Sequence, residues 1–228
     1  MATYAIGDIH GCARSLEALV EKLKLSKEDY LVLVGDYVDR GPDSKGVFDL
    51  IFKLQDKGYH IHCIRGNHEQ ILLRGINGKA DDRNLFRSAG GKATIDSFGV
   101  KKPGDIPKKY LKFIDQLPYF YQTENYIFVH GGLEFRNGSP LLYKEDMLWK
   151  RYWYGDIDYD WLGKRIIIHG HTPTPLAEAQ LQIENIRNNK DQVLNLDTGC
   201  VYHTRPEMGI LTAVNLEKME LITQEYIG

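Results

Sequence analysis

Apolar positions in this chain follow two periods, and the period switches several times along its length. Thr3 to Gly7 is a short apolar stretch that reads as a buried strand. Leu16, Leu19, Val20 and Leu23 then recur at i, i+3, i+4 and i+7, which predicts an amphipathic helix over about 12–24. Tyr30 to Val34 runs without a polar break, as expected of a strand buried on both faces. Asp43 or Ser44 can cap a second helix, with Val47, Leu50, Ile51 and Leu54 turned inward and Gly58 past its end. Tyr59 to Ile64 is a third strand. Strand, helix, strand, helix, strand is the order of parallel βαβ units.

Beyond residue 69 the period is helical as far as 118, with breaks expected at Gly75, Gly78 and Gly90–Gly91. Pro107 and Pro118 bracket a helix that carries Tyr110, Leu111 and Ile114. From Asn125 the pattern turns to strands: Tyr126–Val129, Arg165–Ile168, Val193–Leu196, Ile210–Val214 and Met219–Thr223. There is no internal repeat, low-complexity segment or linker-like run. The expectation is one α/β domain over 1–228, with helices early and strands late.

Composition narrows the class. With 43% hydrophobic and 26% charged residues in 228, the chain can build a substantial core. A net charge of -2 argues against binding nucleic acid through bulk electrostatics. Cys12, Cys63 and Cys200 are widely spaced and form no CxxC pair, which disfavours a disulfide framework or a thiolate zinc site and suits a reducing cytoplasm. The start, MATYAIGDIHG, lacks the features of a signal peptide, and no run approaches the ~20 apolar residues of a membrane span. The expectation is therefore a cytoplasmic protein with no nucleic-acid or membrane partner. The pattern leaves the oligomeric state open.

The chemistry sits where strands stop. Ile6 is followed by Gly-Asp-Ile-His-Gly, Val34 by Gly-Asp-Tyr-Val-Asp-Arg-Gly, Ile64 by Arg-Gly-Asn-His-Glu, Val129 by His-Gly-Gly and Ile168 by His-Gly-His-Thr. Ligand sites of α/β sheets lie beyond the carboxyl ends of strands. Glycine lets the backbone turn sharply and approach a bound group. Carboxylates, imidazoles and an amide oxygen without thiolates suit hard or borderline divalent cations. So many donors exceed the needs of one metal. They suit two metals, roughly 3.5–4 Å apart, that clamp the oxygens of phosphoryl transfer.

GDIHG, GDYVDRG, RGNHE, HGG and HGHT, in that order over residues 7–172, resemble the phosphoprotein phosphatase family of calcineurin-like metallophosphoesterases. HGHTP, LDTGC (196–200) and GGKATIDSFG (90–99) are similar to its bacterial and phage branch. The resemblance implies an α/β fold, a β-sandwich of two mixed sheets flanked by helices in four αββα layers. It implies one metal on Asp8, His10 and Asp36, and a second on Asp36, Asn67, His130 and His171, with Asp36 bridging. Manganese, iron and zinc all suit those ligands. It further implies that His68 is the general acid, oriented by Asp39, and that Arg40, Arg65 and Arg151 bind phosphate oxygens.

Glu69 reads equally as a carboxylate supporting a ligand or as a cap for the following helix. His169 shares a strand face with His171 and is the best candidate for an extra ligand, but falls outside the family pattern. His60 and His62 read as packing or surface residues, and His203, after LDTGC, can line the cleft with nothing in the sequence to fix it there. Asp197 and Thr198 are expected to hydrogen-bond groups around the site, and Cys12 to be a buried thiol opening a helix. The aromatic run LWKRYWYGDIDYDW (148–161) reads equally as a lid over substrate or a cover for the core.

The leading expectation is a phosphomonoesterase acting on phosphoserine and phosphothreonine in proteins or peptides, with phosphotyrosine as a further substrate, through attack by a water between the two metals. The alternative is a dinucleoside tetraphosphate hydrolase on the same centre. Relatives of that second kind tend to lack the acid at the position of Asp39, and this weighs toward the monoesterase. A scaffold without catalysis is disfavoured because every implied ligand and His68 are present.

Overall fold

β1 (Thr3–Ile6), α1 (Ala13–Leu23), β2 (Tyr30–Leu33), α2 (Ser44–Asp56) and β3 (His60–Cys63) follow in the expected order, and β1–β2 and β2–β3 pair in parallel. The structure, a computed structural model, describes residues 1–136 and 138–228. Asp43 caps α2: its side chain accepts the N–H of Gly46 at 2.8 Å. Four helices come next: α3 (Asn67–Asn77), α4 (Ala80–Ser88), α5 (Gly91–Phe98) and α6 (Lys108–Gln116). The rest holds β4 (Phe120–Gln122), β5 (Tyr126–Val129), α7 (Lys144–Trp149), α8 (Tyr159–Leu162), β6 (Ile166–His169), α9 (Leu176–Arg187), β7 (Val193–Asn195), β8 (Ile210–Asn215) and β9 (Glu220–Glu225).

Two mixed sheets result. One has the order β3-β2-β1-β8-β9, the other β4-β5-β6-β7. Side chains alternate between their faces. Ile6, Leu31 and Leu33 join Leu16 and Leu19 of α1 and Val47, Phe48 and Ile51 of α2 in one buried cluster. Ala5 and Val32 pack instead with Phe128, Ile168 and Leu194 of the second sheet and with Ala179 and Ile183 of α9. The far face of the second sheet, Ile127, Val129, Ile167 and Val193, is covered by Met147, Trp153 and Leu162. Helices flank a β-sandwich, as the resemblance implied. Each Val, Leu, Ile, Phe or Met side chain fully buried there contributes about 1.5–3 kcal/mol, so the three clusters together fix the strand ends in space. Among the described residues no helix is long and apolar enough to cross a membrane.

Three departures from the sequence expectation have physical causes. Gly75 does not break a helix but lies inside α3, where Phe86 of α4 would stand 3.1 Å from any Cβ built there. The late half is not strands alone: Ala179, Ile183 and Ile186 recur at i, i+4 and i+7 and bury one side of α9. The three residues of β4, too few to show an alternating pattern, pair antiparallel with β5.

Candidate metal centre

The five loops beyond β1, β2, β3, β5 and β6 meet at one place, and those after β1, β2 and β6 do so in strained backbone. His10, Asp36, Asp39, Arg40 and His171 have φ of +45°, +53°, +71°, +70° and +71°. Left-handed geometry costs a non-glycine residue about 1–3 kcal/mol and persists only where the surroundings enforce it. Here the enforcing groups are visible. Ile9 and His10 donate their N–H groups to the Asp36 carbonyl at 3.1 and 2.7 Å. Glu69, fully buried, accepts from the backbone N–H groups of Asp36, Tyr37, Val38 and Gly66 at 2.9, 2.8, 3.3 and 2.9 Å. It therefore fills both roles read for it, capping α3 and clasping the loop after β2. Gly66 is required at that junction, because a Cβ would fall 2.2 Å from Asp36 Oδ1.

Ligand atoms of Asp36, His130 and His171 lie within 4.8 Å of one another, and so do those of His10, Asp36 and His68. Asp36 is common to both sets. Its Oδ1 stands 3.3 Å from His130 Nε2, and its Oδ2 stands 3.4 Å from His10 Nε2. Asn67 Oδ1 completes the first set, 2.9 Å from His130 Nε2 and 3.0 Å from His171 Nδ1. His10 and His130 each donate the other ring nitrogen to a backbone carbonyl, of Val38 and Val34, at 2.9 Å, which fixes tautomer and ring orientation. Asp8, expected on the His10 side, stands outside both sets. Both its oxygens are 3.1 Å from the backbone N of His171, and a Cβ at Gly170 would come within 2.0 Å of its Oδ1.

Electrostatics show what is wanted here. Burial, reinforced by Asp197, pushes the Asp8 carboxyl well above its usual range. Burial opposes charge on Asp36 too, but the imidazoles of His130 and His68 outweigh it and hold that carboxyl well below the usual range. Burial works against His130, yet Asp36 and Asp8 on either side push it up to about 10. The carboxylates are drawing on the protein's own cations. The neighbouring His171 ring goes the other way, held near 2 by burial and by the charge of His130. Its Nε2 is buried and has no partner among the described residues. An unprotonated ring nitrogen left free, an anionic carboxylate shared between two donor sets and an oxygen–imidazole chemistry throughout fit divalent cations.

The profile of the calcineurin-like phosphoesterases matches residues 1–207. The chain belongs to that family. It is 29% identical over 246 aligned positions to the bis(5'-nucleosyl)-tetraphosphatase PrpE, of the asymmetrical type, of Oceanobacillus iheyensis, covering 96% of this chain and 90% of the relative. It is 28% identical to the PrpE protein of a Geobacillus species, covering 96% and 91%. Among solved structures, a protein serine/threonine phosphatase of Saccharomyces cerevisiae superposes with a TM-score of 0.61 at 16% identity, covering 100% of this chain and 80% of that one. A metallophosphoesterase from Sphaerobacter thermophilus gives 0.62 at 16% identity, covering 99% and 88%. Those two likenesses show the fold. Members of this family work with a divalent metal centre, and the donor sets described above are where such a centre fits this metallophosphoesterase.

The remaining expected residues are not all brought together. His68 Nδ1 lies 2.8 Å from Asp39 Oδ2 and its ring meets that of His10 edge-on at 4.6 Å. Arg40 reaches both rings, with Nη2 2.7 Å from His68 Nε2 and Nη1 against His10 Nε2. Arg151 donates to Thr172 Oγ1 at 2.8 Å, one residue past His171. Arg65 is placed otherwise than expected. Its guanidinium turns to the end of α6, donating to the carbonyls of Asp115 at 2.6 Å and Ile114 at 3.3 Å, and to Gln70 Oε1 at 2.9 Å. It buttresses the α3–α6 junction.

Several side chains gain definite places. His169 donates through Nδ1 to the Gly170 carbonyl at 3.0 Å and accepts the Tyr154 hydroxyl on Nε2 at 2.6 Å, so both its nitrogens are engaged. Asp197 accepts the Gly199 N–H at 3.0 Å. Thr198 donates its hydroxyl to the Ile210 carbonyl at 2.6 Å, away from the ligands. His60 and His62 stack on Tyr30, and His203 stacks on Tyr226. Cys12 is buried, and a hydrogen bond with Cys200 together with burial raises its thiol far out of reach of ionisation. One residue was missed by the sequence reading. Thr94 of α5 donates its hydroxyl to Asp39 Oδ1 at 2.6 Å and accepts the Asp39 N–H at 2.9 Å. Its only signal was its position inside GGKATIDSFG.

Proposed function

We propose that this metallophosphoesterase hydrolyses dinucleoside tetraphosphates asymmetrically, to a nucleoside monophosphate and a nucleoside triphosphate. The observation that carries this reading is the near end-to-end likeness, over 96% of the chain, to relatives named for that reaction. It replaces the protein phosphatase as the leading reading. Asp36, Asn67, His130 and His171 would hold one cation, and His10 and Asp36, with Asp8 close by, the other. Bound there, the cations supply Lewis acidity toward the phosphoryl oxygens and lower the pKa of water. The chain does the rest. Arg40 and Arg151 present guanidinium forks to the non-bridging oxygens. As the oxygen of water bonds to phosphorus, the bridging P–O bond breaks and the triphosphate leaves. His68, aimed by the Asp39 contact on Nδ1, would protonate the leaving oxygen through Nε2 once Arg40, which donates to that nitrogen here, turns to the phosphate.

That same His68–Asp39 pair, 2.8 Å apart, supports a second reading. A triphosphate departs as a stable anion and needs little help, whereas the alkoxide of phosphoserine or phosphothreonine is a poor leaving group and needs an acid. The deciding experiment is the ratio of kcat/KM for diadenosine tetraphosphate to that for a phosphothreonine peptide, on protein loaded with manganese. A ratio well above one is expected. A ratio well below one transfers the site to protein phosphoesters.

A further inference from the structure

A cavity of about 340 Å³ opens beside Arg151 and Thr172. It is small for a ligand pocket, which runs from roughly 300 to 1,000 Å³, and so suits one nucleoside and not two. Its lining is aromatic on one side, with Tyr152, Trp153 and Tyr154, and polar at the other, with Thr174 and Asn195. Trp153 and Tyr154 are fixed. Trp153 is 1% exposed and donates Nε1–H to the Gly131 carbonyl at 3.2 Å. Tyr154 meets Trp153 edge-on at 5.0 Å and is tied to His169 through its hydroxyl.

Tyr152 differs from both. It is 95% exposed, and its backbone is left-handed at φ +58°. A bulky residue gains nothing intrinsic from that conformation and loses about 1–3 kcal/mol. Burial cannot compensate, since the ring is in water. What the strain achieves is placement: an aromatic face at the cavity mouth, one residue from an arginine that reaches the centre through Thr172. On the opposite wall, Asn195 Nδ2 donates to the Thr172 carbonyl at 2.7 Å and to Thr174 Oγ1 at 3.3 Å. The hydroxyl proton of Thr174 is left without a partner among the described residues, free for a ring nitrogen or carbonyl of a base.

We infer that this cavity seats the nucleoside nearest the cleaved phosphate, with the base stacked on Tyr152 and its edge toward Thr174. The inference rests on the dinucleoside tetraphosphate reading and supplies its specificity: Arg151 sits between base and metal centre, where the first phosphate of that nucleoside would lie.

The test compares Tyr152→Ala and Tyr152→Trp with the unaltered chain, all loaded with manganese, on diadenosine tetraphosphate and p-nitrophenyl phosphate. Stacking on one aromatic ring changes affinity by about tenfold or more. Tyr152→Ala should raise KM for the dinucleotide by that factor, and its kcat/KM loss should exceed the loss on p-nitrophenyl phosphate by the same factor. Tyr152→Trp should restore it. Equal losses on the two substrates overturn the seat. Should the unaltered chain leave the dinucleotide intact, the proposed function fails, and the seat is then judged alone by titrating adenosine and following tryptophan fluorescence. Saturable binding that Tyr152→Ala weakens about tenfold keeps the seat, and no saturable binding removes it.

Discussion

Asp36 answers three demands with one carboxylate. Its Oδ1 accepts the backbone N–H of His68 at 3.0 Å while facing His130, and its Oδ2 faces His10. Asp36→Asn keeps the shape and removes the charge that both donor sets share. We expect bound manganese, measured by calorimetric titration, to weaken by more than the 10–100-fold lost when a mere supporting partner of a ligand is removed. Retention of both sites at full affinity would contradict the shared-ligand assignment. For His68→Asn the expected loss is about 10²–10⁴ on substrates with poor leaving groups and far less on p-nitrophenyl phosphate, whose anion departs unaided. Equal losses would strip His68 of the acid role. These residues were legible because each follows an apolar strand within a few positions, so local sequence carried the signal. Thr94 was not, since it meets Asp39 from 55 residues away. Arg65 misled because the letters RGN look alike whichever way a long flexible side chain turns.

The clasp formed by α3 shows the same division between elements. A glutamate three residues inside a helix start is readable as a cap. That its other carboxylate oxygen holds the loop after β2 is a tertiary fact. In Glu69→Gln the amide would set its N–H₂ against backbone N–H donors, leaving at least one buried group unsatisfied. A loss of about 1–3 kcal/mol in urea unfolding is expected, together with reduced manganese binding because Asp36 rides on that loop. Unchanged metal binding would separate the clasp from the site. α9 was readable in principle from its i, i+4, i+7 stripe, but the neighbouring strands hid it. Ile183, 5% exposed in the cluster between the sheets, should cost about 2–5 kcal/mol on truncation to Ala if α9 is the packed helix described.

For the molecule as a whole, the metal centre is also a stability term. Asp8, Asp36, Asp39, Glu69 and Asp197 are each no more than 3% exposed, and a buried carboxylate cluster without cations is costly. A ligand that binds only the folded state adds about 2.7 kcal/mol at 100 times its Kd. For a chain of this size that is a Tm rise of about 5 °C or more, reversed by a chelator. An unmoved Tm would mean that the site's own cations, His130 and Arg40, already balance its acids. Topology adds a further consequence. The family profile stops at residue 207, yet β1 takes its antiparallel partner from β8, which pairs Ile6 with Ala213 and Tyr4 with Asn215. β1 therefore keeps one edge bare until β8, which follows it by most of this sequence, is in place. Until the β8–β9 hairpin is in place, the loop bearing Asp8 and His10 hangs from an unfinished sheet, and metal capture is expected to follow the closing of that edge. Trimming the chain to its family-matched stretch would make that waiting state permanent, leaving an open strand edge of the sort through which chains pair with one another and aggregate.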